Sequence, residues 1–401
     1  MALAVGTEIE VDIHDVAFGG RGVGRHDGCA VFVPGTLTGE RVRIRLTKCR
    51  KKFAEAALLE VLVPSEHRIE PACSLSDRCP GCSYQHISYD EEVRLKQQQL
   101  EGLLKRIGGL ADVAFEARIA SPRPLGYRNK IVLHAQRERK LGYFGEDNRT
   151  VVDIPGCPLA VGPINDELAK LRSNSKMLKR MRPNAAVTFR WTEADGALHW
   201  IDRESGIDRL TETSPIGDMR VPRRAFYQVN TDAGAALVSH VSALIKAEAP
   251  KYLIDFYCGV GLFALAAAHH GVPHIFGIER QSVSIRAAIQ NAKAMGVRAE
   301  FVSADVEALA EAALEQVDSA QAMVVVDPPR QGLEQEFIET VIAACPAVLV
   351  YVSCAADTLA RDLKQLTESA YEVVNCQLID MFPRTPHFES VTVLRSVAQE
   401  A

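Results

Sequence analysis

The sequence predicts an α/β chain: a Rossmann-like C-terminal domain behind a small OB-type β-barrel and a central α+β domain. Three observations carry this. From Tyr252 to Thr367, short apolar runs alternate with helix-forming stretches, the pattern of parallel strands joined by crossover helices. Asp255-Phe256-Tyr257-Cys258-Gly259-Val260-Gly261-Leu262-Phe263 joins the first run to its helix as a glycine turn. Residues 6–63 instead alternate apolar and polar side chains between many glycines, as short barrel strands do.

A chain of 401 residues holds two or three domains. We place them at 1–63 (barrel), 64–215 (central) and 216–401 (C-terminal). A hydrophobic content of 47% and a charged content of 24% suit a globular protein with a sizeable core. The net charge of -5 does not advertise nucleic-acid binding, so a surface for RNA must be local. No apolar run reaches the roughly 18 residues of a membrane span, and no basic-then-apolar leader opens the chain. The reading is therefore cytoplasmic, with no membrane and no protein partner implied. In a reducing compartment the ten cysteines read as metal ligands or catalysts rather than disulfides.

In the barrel, Glu8–Ile13, Ala30–Gly35, Glu40–Leu46 and Ala56–Val63 read as strands, and Phe18–Gly24 as a turn-rich segment. The dense series Arg41, Arg43, Arg45, Lys48, Arg50, Lys51, Lys52 is either a solvated strand face or a phosphate-contacting groove. This segment is similar to the TRAM domain, an RNA-binding barrel, whose glycine-rich turn Gly19-Gly20-Arg21-Gly22-Val23-Gly24-Arg25 matches.

Cys73, Cys79 and Cys82 follow within ten positions, beside the turn formers Pro80 and Gly81. Cys157, in Pro155-Gly156-Cys157-Pro158, is the best fourth ligand and His86 a weaker one. Four thiolates suit zinc or an iron–sulfur cluster, and spacing does not choose between them. Tyr89–Gly108 carries a helical pattern ending at Gly108-Gly109. Strands follow within Ile119–Arg149, where Arg128 and Lys130 are candidate RNA contacts. Asn165–Met181 reads as one helix, and Ala185–Trp191 and Leu198–Ile201 as strands.

Arg224–Asn230 leads into a helix over Thr231–Glu248, capped by Asn230 or Thr231. Then the alternation begins. Tyr252–Ile254 is a strand and Ala264–His270 a helix. The strand Ile275–Ile278 ends at Glu279, Glu300–Ala304 at Asp305, Met323–Val326 at Asp327, and Val348–Val352 at Ser353-Cys354. Tyr371–Asp380 and Ser390–Leu394 are the last strands. Acids at successive strand ends line the carboxyl edge, where such sheets bind ligands. Two glycines without G-x-G-x-x-G disfavour a dinucleotide. Glu279, about 20 residues on, suits a ribose diol. Asp305 suits an adenine amino group, and Asp327 with Gln228 an amino acid tail or the target. Such a ligand is S-adenosylmethionine. Beside a methyl donor, a Cys354 thiolate can add to carbon 6 of uracil and make carbon 5 nucleophilic. Glu389 is then the base for the carbon 5 proton. A base within RNA must be unstacked to reach such a pocket, which gives RNA-holding domains a purpose.

Asp-Phe-Tyr-Cys-Gly-Val-Gly at 255–261, Asp327-Pro328-Pro329-Arg330, Val352-Ser353-Cys354 and Pro386-His387-Phe388-Glu389 together resemble the RNA uracil-5-methyltransferase family. The front of the chain resembles its TRAM-containing, four-cysteine branch, typified by the 23S ribosomal RNA enzyme; related enzymes act on transfer RNA. The resemblance implies a class I methyltransferase domain and a [4Fe–4S] cluster on Cys73, Cys79, Cys82 and Cys157. It implies cofactor contacts from Gln228, Tyr257, Glu279, Asp305 and Asp327, with Cys354 as nucleophile and Glu389 as base. It also implies that residues 89–108 can pack on the C-terminal domain. The chain departs from the family at Ala355-Ala356, where Asn-Pro is usual, and at Leu262, where Asn is frequent.

Overall fold

The computed structural model describes residues 4–202 and 208–397. The outer ends of the first and third regions, and residues 203–207 of the second, lie outside the described residues. Five strands, β1 (Glu8–Ala17), β2 (Arg21–His26), β3 (Cys29–Pro34), β4 (Arg41–Cys49) and β5 (Phe53–Val63), close a barrel in the order β1-β2-β3-β5-β4. Alternate residues such as Val11, Ile13, Val31, Val33, Val42 and Ile44 fill it. The turn-rich segment therefore runs into a strand, β2, whose Gly22 leaves no room for a Cβ against Thr36.

Helix α1 (Tyr89–Arg106) follows the first three cysteines. Its Val93, Leu100, Leu103 and Leu104 enter the same core as Leu359, Leu363 and Leu366 of the C-terminal domain. The central sheet contains β6 (Lys130–Gln136), β7 (Lys140–Phe144) and β8 (Val151–Asp153), then β9 (Ala186–Thr192) and β10 (Gly196–Ile201), in the order β10-β9-β6-β7-β8. Between β8 and β9 stand α2 (Gly162–Ser173) and α3 (Ser175–Arg180). The single helix expected over Asn165–Met181 is broken at Asn174, whose side chain accepts from Met177 N at 3.1 Å and so starts a new helix. A hairpin, β11 (Arg209–Ser214) and β12 (Gly217–Pro222), spans the expected boundary between the central and C-terminal domains and packs through β12 on a helix of the latter.

That domain runs α4 (Thr231–Glu248), β13 (Tyr252–Phe256), α5 (Leu262–His269), β14 (His274–Glu279), α6 (Ser282–Met295), β15 (Glu300–Ser303) and α7 (Val306–Leu314). It continues β16 (Ala322–Val326), α8 (Gln335–Ala344), β17 (Val348–Ser353), α9 (Ala356–Ser369), β18 (Tyr371–Ile379) and β19 (Glu389–Ser396). The seven-stranded order is β15-β14-β13-β16-β17-β19-β18. β13 to β17 pair in parallel, and β13, β16 and β17 are buried between helices, while the edge strand β15 is largely exposed. The parallel pairing expected from the alternation holds from β13 to β17, and the last strand, β19, runs antiparallel to both β17 and β18. No described helix is long and apolar enough to cross a membrane.

Candidate active site

The glycine turn after β13 is built as its residues require. Tyr257, Gly259 and Gly261 all have positive φ, at 64°, 55° and 87°. At Gly261 a Cβ would stand 3.0 Å from Phe301 and 3.1 Å from Ala288, so glycine also permits the packing of α6 and β15. Asp255 is fully buried, and its Oδ2 accepts from Ala264 N at 2.9 Å, anchoring the start of α5. The Tyr257 hydroxyl donates to Glu307 Oε1 at 2.7 Å. Burial and hydrogen bonding to Asp305 push the Glu307 carboxyl up.

Strand pairing aligns the acids. Register Phe256↔Ile278, Phe256↔Val326 and Glu279↔Ser303 sets Tyr257, Glu279, Asp305 and Asp327 at one edge of the sheet. Glu279 is half-buried, Asp305 exposed and Asp327 half-buried. Burial pushes the Asp327 carboxyl up to about 7. Gln228 is buried before α4, and its Oε1 has no hydrogen-bond partner. Asn230 caps α4 by accepting from Ala233 N.

The antiparallel β19 brings in the last group. Ser353 pairs with Ser390. One residue further along each strand stand Cys354 and Glu389, and the Glu389 charge acts on the Cys354 thiol. In a parallel strand Glu389 would begin β19 at the far edge. Glu389 is buried, and its Oε2 has no hydrogen-bond partner. Burial, then the charge of Asp327, push its carboxyl well above the usual range, while Arg330 opposes them. Cys354 is half-buried. Burial, then Glu389 and Asp327, push its thiol up to about 12, again opposed by Arg330. The Ala355-Ala356 departure leaves an ordered turn. Ser353 Oγ accepts from Ala355 N at 3.1 Å, and α9 starts at the next residue.

The family model described as tRNA (Uracil-5-)-methyltransferase matches residues 207–397, and the TRAM model matches 2–59. An RNA methyltransferase of Thermosynechococcus vestitus is 30% identical over 97% of this chain and 98% of its own. One of Gloeobacter violaceus is 31% identical over 98% and 97%. Both are otherwise uncharacterized. The chain belongs to the RNA uracil-5-methyltransferase family. The tRNA (uracil-54, C5)-methyltransferase of Pyrococcus abyssi, solved with S-adenosyl-L-homocysteine, shares the fold. Its TM-score is 0.76 at 24% identity, covering 96% of this chain and all of that one.

Cys73, Cys79, Cys82 and Cys157 line one cavity of about 160 Å³. Tyr143 donates its hydroxyl toward Cys157 Sγ at 3.9 Å, and Gln85 Nε2 donates to Cys82 Sγ at 3.5 Å. Burial pushes the Cys82 thiol up to about 11; burial, then Cys157 and Cys73, raise Cys79. Among the described residues, no group of three or more His, Cys, Asp or Glu stands ready to hold a single metal ion. His86 lies outside this cavity and packs toward Thr36 and Arg68.

Several basic residues stand in different surroundings from those expected. Arg128 lines the cysteine cavity, and Lys130 is half-buried near Arg190 and Glu212. On the barrel, Arg41 pairs with Glu10, Arg43 with Glu10 and Glu60, Arg45 with Glu8, and Lys48 with Glu55. The supposed basic stripe is thus largely a neutral cross-strand ladder. Arg330, a cation just past the strand-end Asp327 and two prolines, places a positive charge near both Cys354 and Glu389. The loop it stands on is tied by Asp362 Oδ2, which accepts from Leu333 N at 2.8 Å and from the Tyr351 hydroxyl at 2.7 Å.

Proposed function

We propose that the chain transfers a methyl group from S-adenosylmethionine to carbon 5 of one uridine in RNA. The pairing of Ser353 with Ser390, which seats Cys354 beside Glu389, carries this reading. Bound at the sheet edge, the cofactor supplies an electrophilic methyl on sulfur. Gln228, Tyr257, Glu279, Asp305 and Asp327 would hold and orient it, with Glu279 suited to the ribose hydroxyls and Asp305 to the adenine amino group. The Cys354 thiol gives its proton to solvent water as its sulfur bonds carbon 6, and the electrons of the carbon 5–carbon 6 double bond move to make carbon 5 nucleophilic, leaving Glu389 free to act later. Carbon 5 then takes the methyl. Glu389 removes the remaining carbon 5 proton, the carbon–sulfur bond breaks, and the double bond returns. With a thiol pushed up to about 12, free thiolate is scarce at neutral pH, so proton removal accompanies attack.

The four cavity thiols fit a [4Fe–4S] cluster. They surround one space too large for a single ion, with the Arg128 guanidinium and the Tyr143 hydroxyl beside their sulfurs. Such a cluster cross-links the segment after the barrel to the loop after β8. The methyl transfer has no redox step for it to serve. With four cavity thiols behind a TRAM barrel, we assign the uridine to 23S ribosomal RNA. A transfer RNA is the second reading, favoured by the fold shared with the Pyrococcus enzyme. Labelled S-adenosylmethionine with unmodified 23S and transfer RNA, followed by nucleoside analysis, tests both. 5-Methyluridine in 23S RNA alone supports the first reading, and in transfer RNA alone the second. A label in any other nucleoside overturns the reaction.

A further inference from the structure

Lys96, on α1, is fully buried although lysines almost never are unless paired. Its ammonium spends all three donors: on Glu92 Oε1 at 2.8 Å, Asp380 Oδ1 at 2.7 Å and the Phe382 carbonyl at 3.2 Å. Asp380 Oδ2 accepts from the Tyr89 hydroxyl at 2.8 Å. Glu92 Oε1 also accepts from Arg384 N at 2.6 Å. Asp380 and Arg384 belong to the loop between β18 and β19, which ends at Glu389. The same loop is held at Met381 by Asn230 and at Pro383 by Tyr127. The Arg384 carbonyl accepts from Ser83 N at 2.9 Å, one residue past Cys82. Arg384 itself has φ of 68°, a strained conformation for a non-glycine residue that persists only where its surroundings enforce it.

We propose that Lys96 is a positioning residue for the catalytic base. Its three bonds fix the loop at Asp380 and Phe382, and through the loop they fix the direction of the Glu389 carboxylate toward carbon 5. The proposal rests on Glu389 being the base. It places the determinant of proton removal on a helix that neither the barrel nor the sheet contributes. A buried ion group serving stability alone is often replaceable by apolar side chains without loss of function. The two roles therefore predict different results.

The test follows the covalent methylated enzyme–RNA adduct in single-turnover reactions of the full chain. Lys96→Met, Asp380→Asn and Glu389→Gln are compared with the parent, with cofactor affinity and melting temperature measured alongside. Adduct decay is expected to slow at least about tenfold in Lys96→Met, less in Asp380→Asn and most in Glu389→Gln, with cofactor affinity unchanged. If Lys96→Met does not fold, the near-isosteric Asp380→Asn decides. Slowed decay in Glu389→Gln with parental decay in both other variants overturns the positioning role and leaves the base reading standing. Parental decay in Glu389→Gln overturns the base reading itself, and the proposal with it. Lowered melting temperature with parental adduct decay assigns Lys96 a structural role only and also overturns the proposal.

Discussion

Cysteines in two regions of this protein are all half-buried, and their surroundings suit them to different work. Cys354 is a single thiol beside Glu389 and near Asp327, with the Arg330 charge opposing theirs. Cys73, Cys79, Cys82 and Cys157 stand together around a cavity that also receives Arg128 and Tyr143 and, among the described residues, no carboxylate. Burial raises Cys354 to about 12 and Cys82 to about 11, so burial does not separate them. Their neighbours do. An acid beside one thiol is a proton acceptor for covalent chemistry, whereas four thiols around a cation and a hydroxyl form an anionic ligand set.

The strongest way to break the comparison is to remove the lone thiol. Cys354→Ala is expected to abolish turnover and the covalent adduct while cofactor binding, read by calorimetry, survives. Residual full activity would make Cys354 another inert buried thiol. Removing a cavity thiol should do the reverse. Cys82→Ser is expected to lose broad visible absorption and most of about four irons per chain, with cofactor affinity kept. A colourless parent carrying one zinc would reassign the cavity.

Acidity sharpens the contrast further. Cys354 and Glu389 are both raised acids that act deprotonated, so kcat/KM should climb with pH between about 6 and 9, by up to about tenfold per unit. A flat profile would mean that neither proton matters. The smallest effect concerns Asp327. Its folded-state carboxyl, at about 7, lies above the ordinary 3.8, so the folded protein holds that proton more tightly. Its contribution to stability is lost as pH rises from about 4 to about 7. Asp327→Asn should therefore gain on the order of a few degrees in melting temperature at pH 8, and little at pH 3. Equal gains at both would show that charge burial is not the cause.

The alternating strands, the glycine turn and the strand-end acids were legible because buried parallel strands are continuous apolar runs and their ends are marked by polar residues. The direction of β19 was not. Ser390–Leu394 reads the same parallel or antiparallel, yet its direction decides whether Glu389 reaches Cys354. The ion pairs of the barrel arginines were hidden for a related reason. Glu8, Glu10, Glu55 and Glu60 sit far from them in sequence, and only the register of β4 against β1 and β5 pairs them. Lys96 looked like one more helix charge among many. Its burial depends on a loop almost 300 residues later, which no local pattern reveals.

The account turns on Cys354 forming a bond that Glu389 later allows to break. Transcripts of 23S and transfer RNA carrying 5-fluorouridine test it most directly, because fluorine replaces the proton that Glu389 must remove. With S-adenosylmethionine present, the account predicts a stable protein–RNA adduct that peptide mass spectrometry places on Cys354 and that Cys354→Ala does not form. Absence of any adduct on an RNA that the parent methylates, or an adduct on another residue, would contradict it.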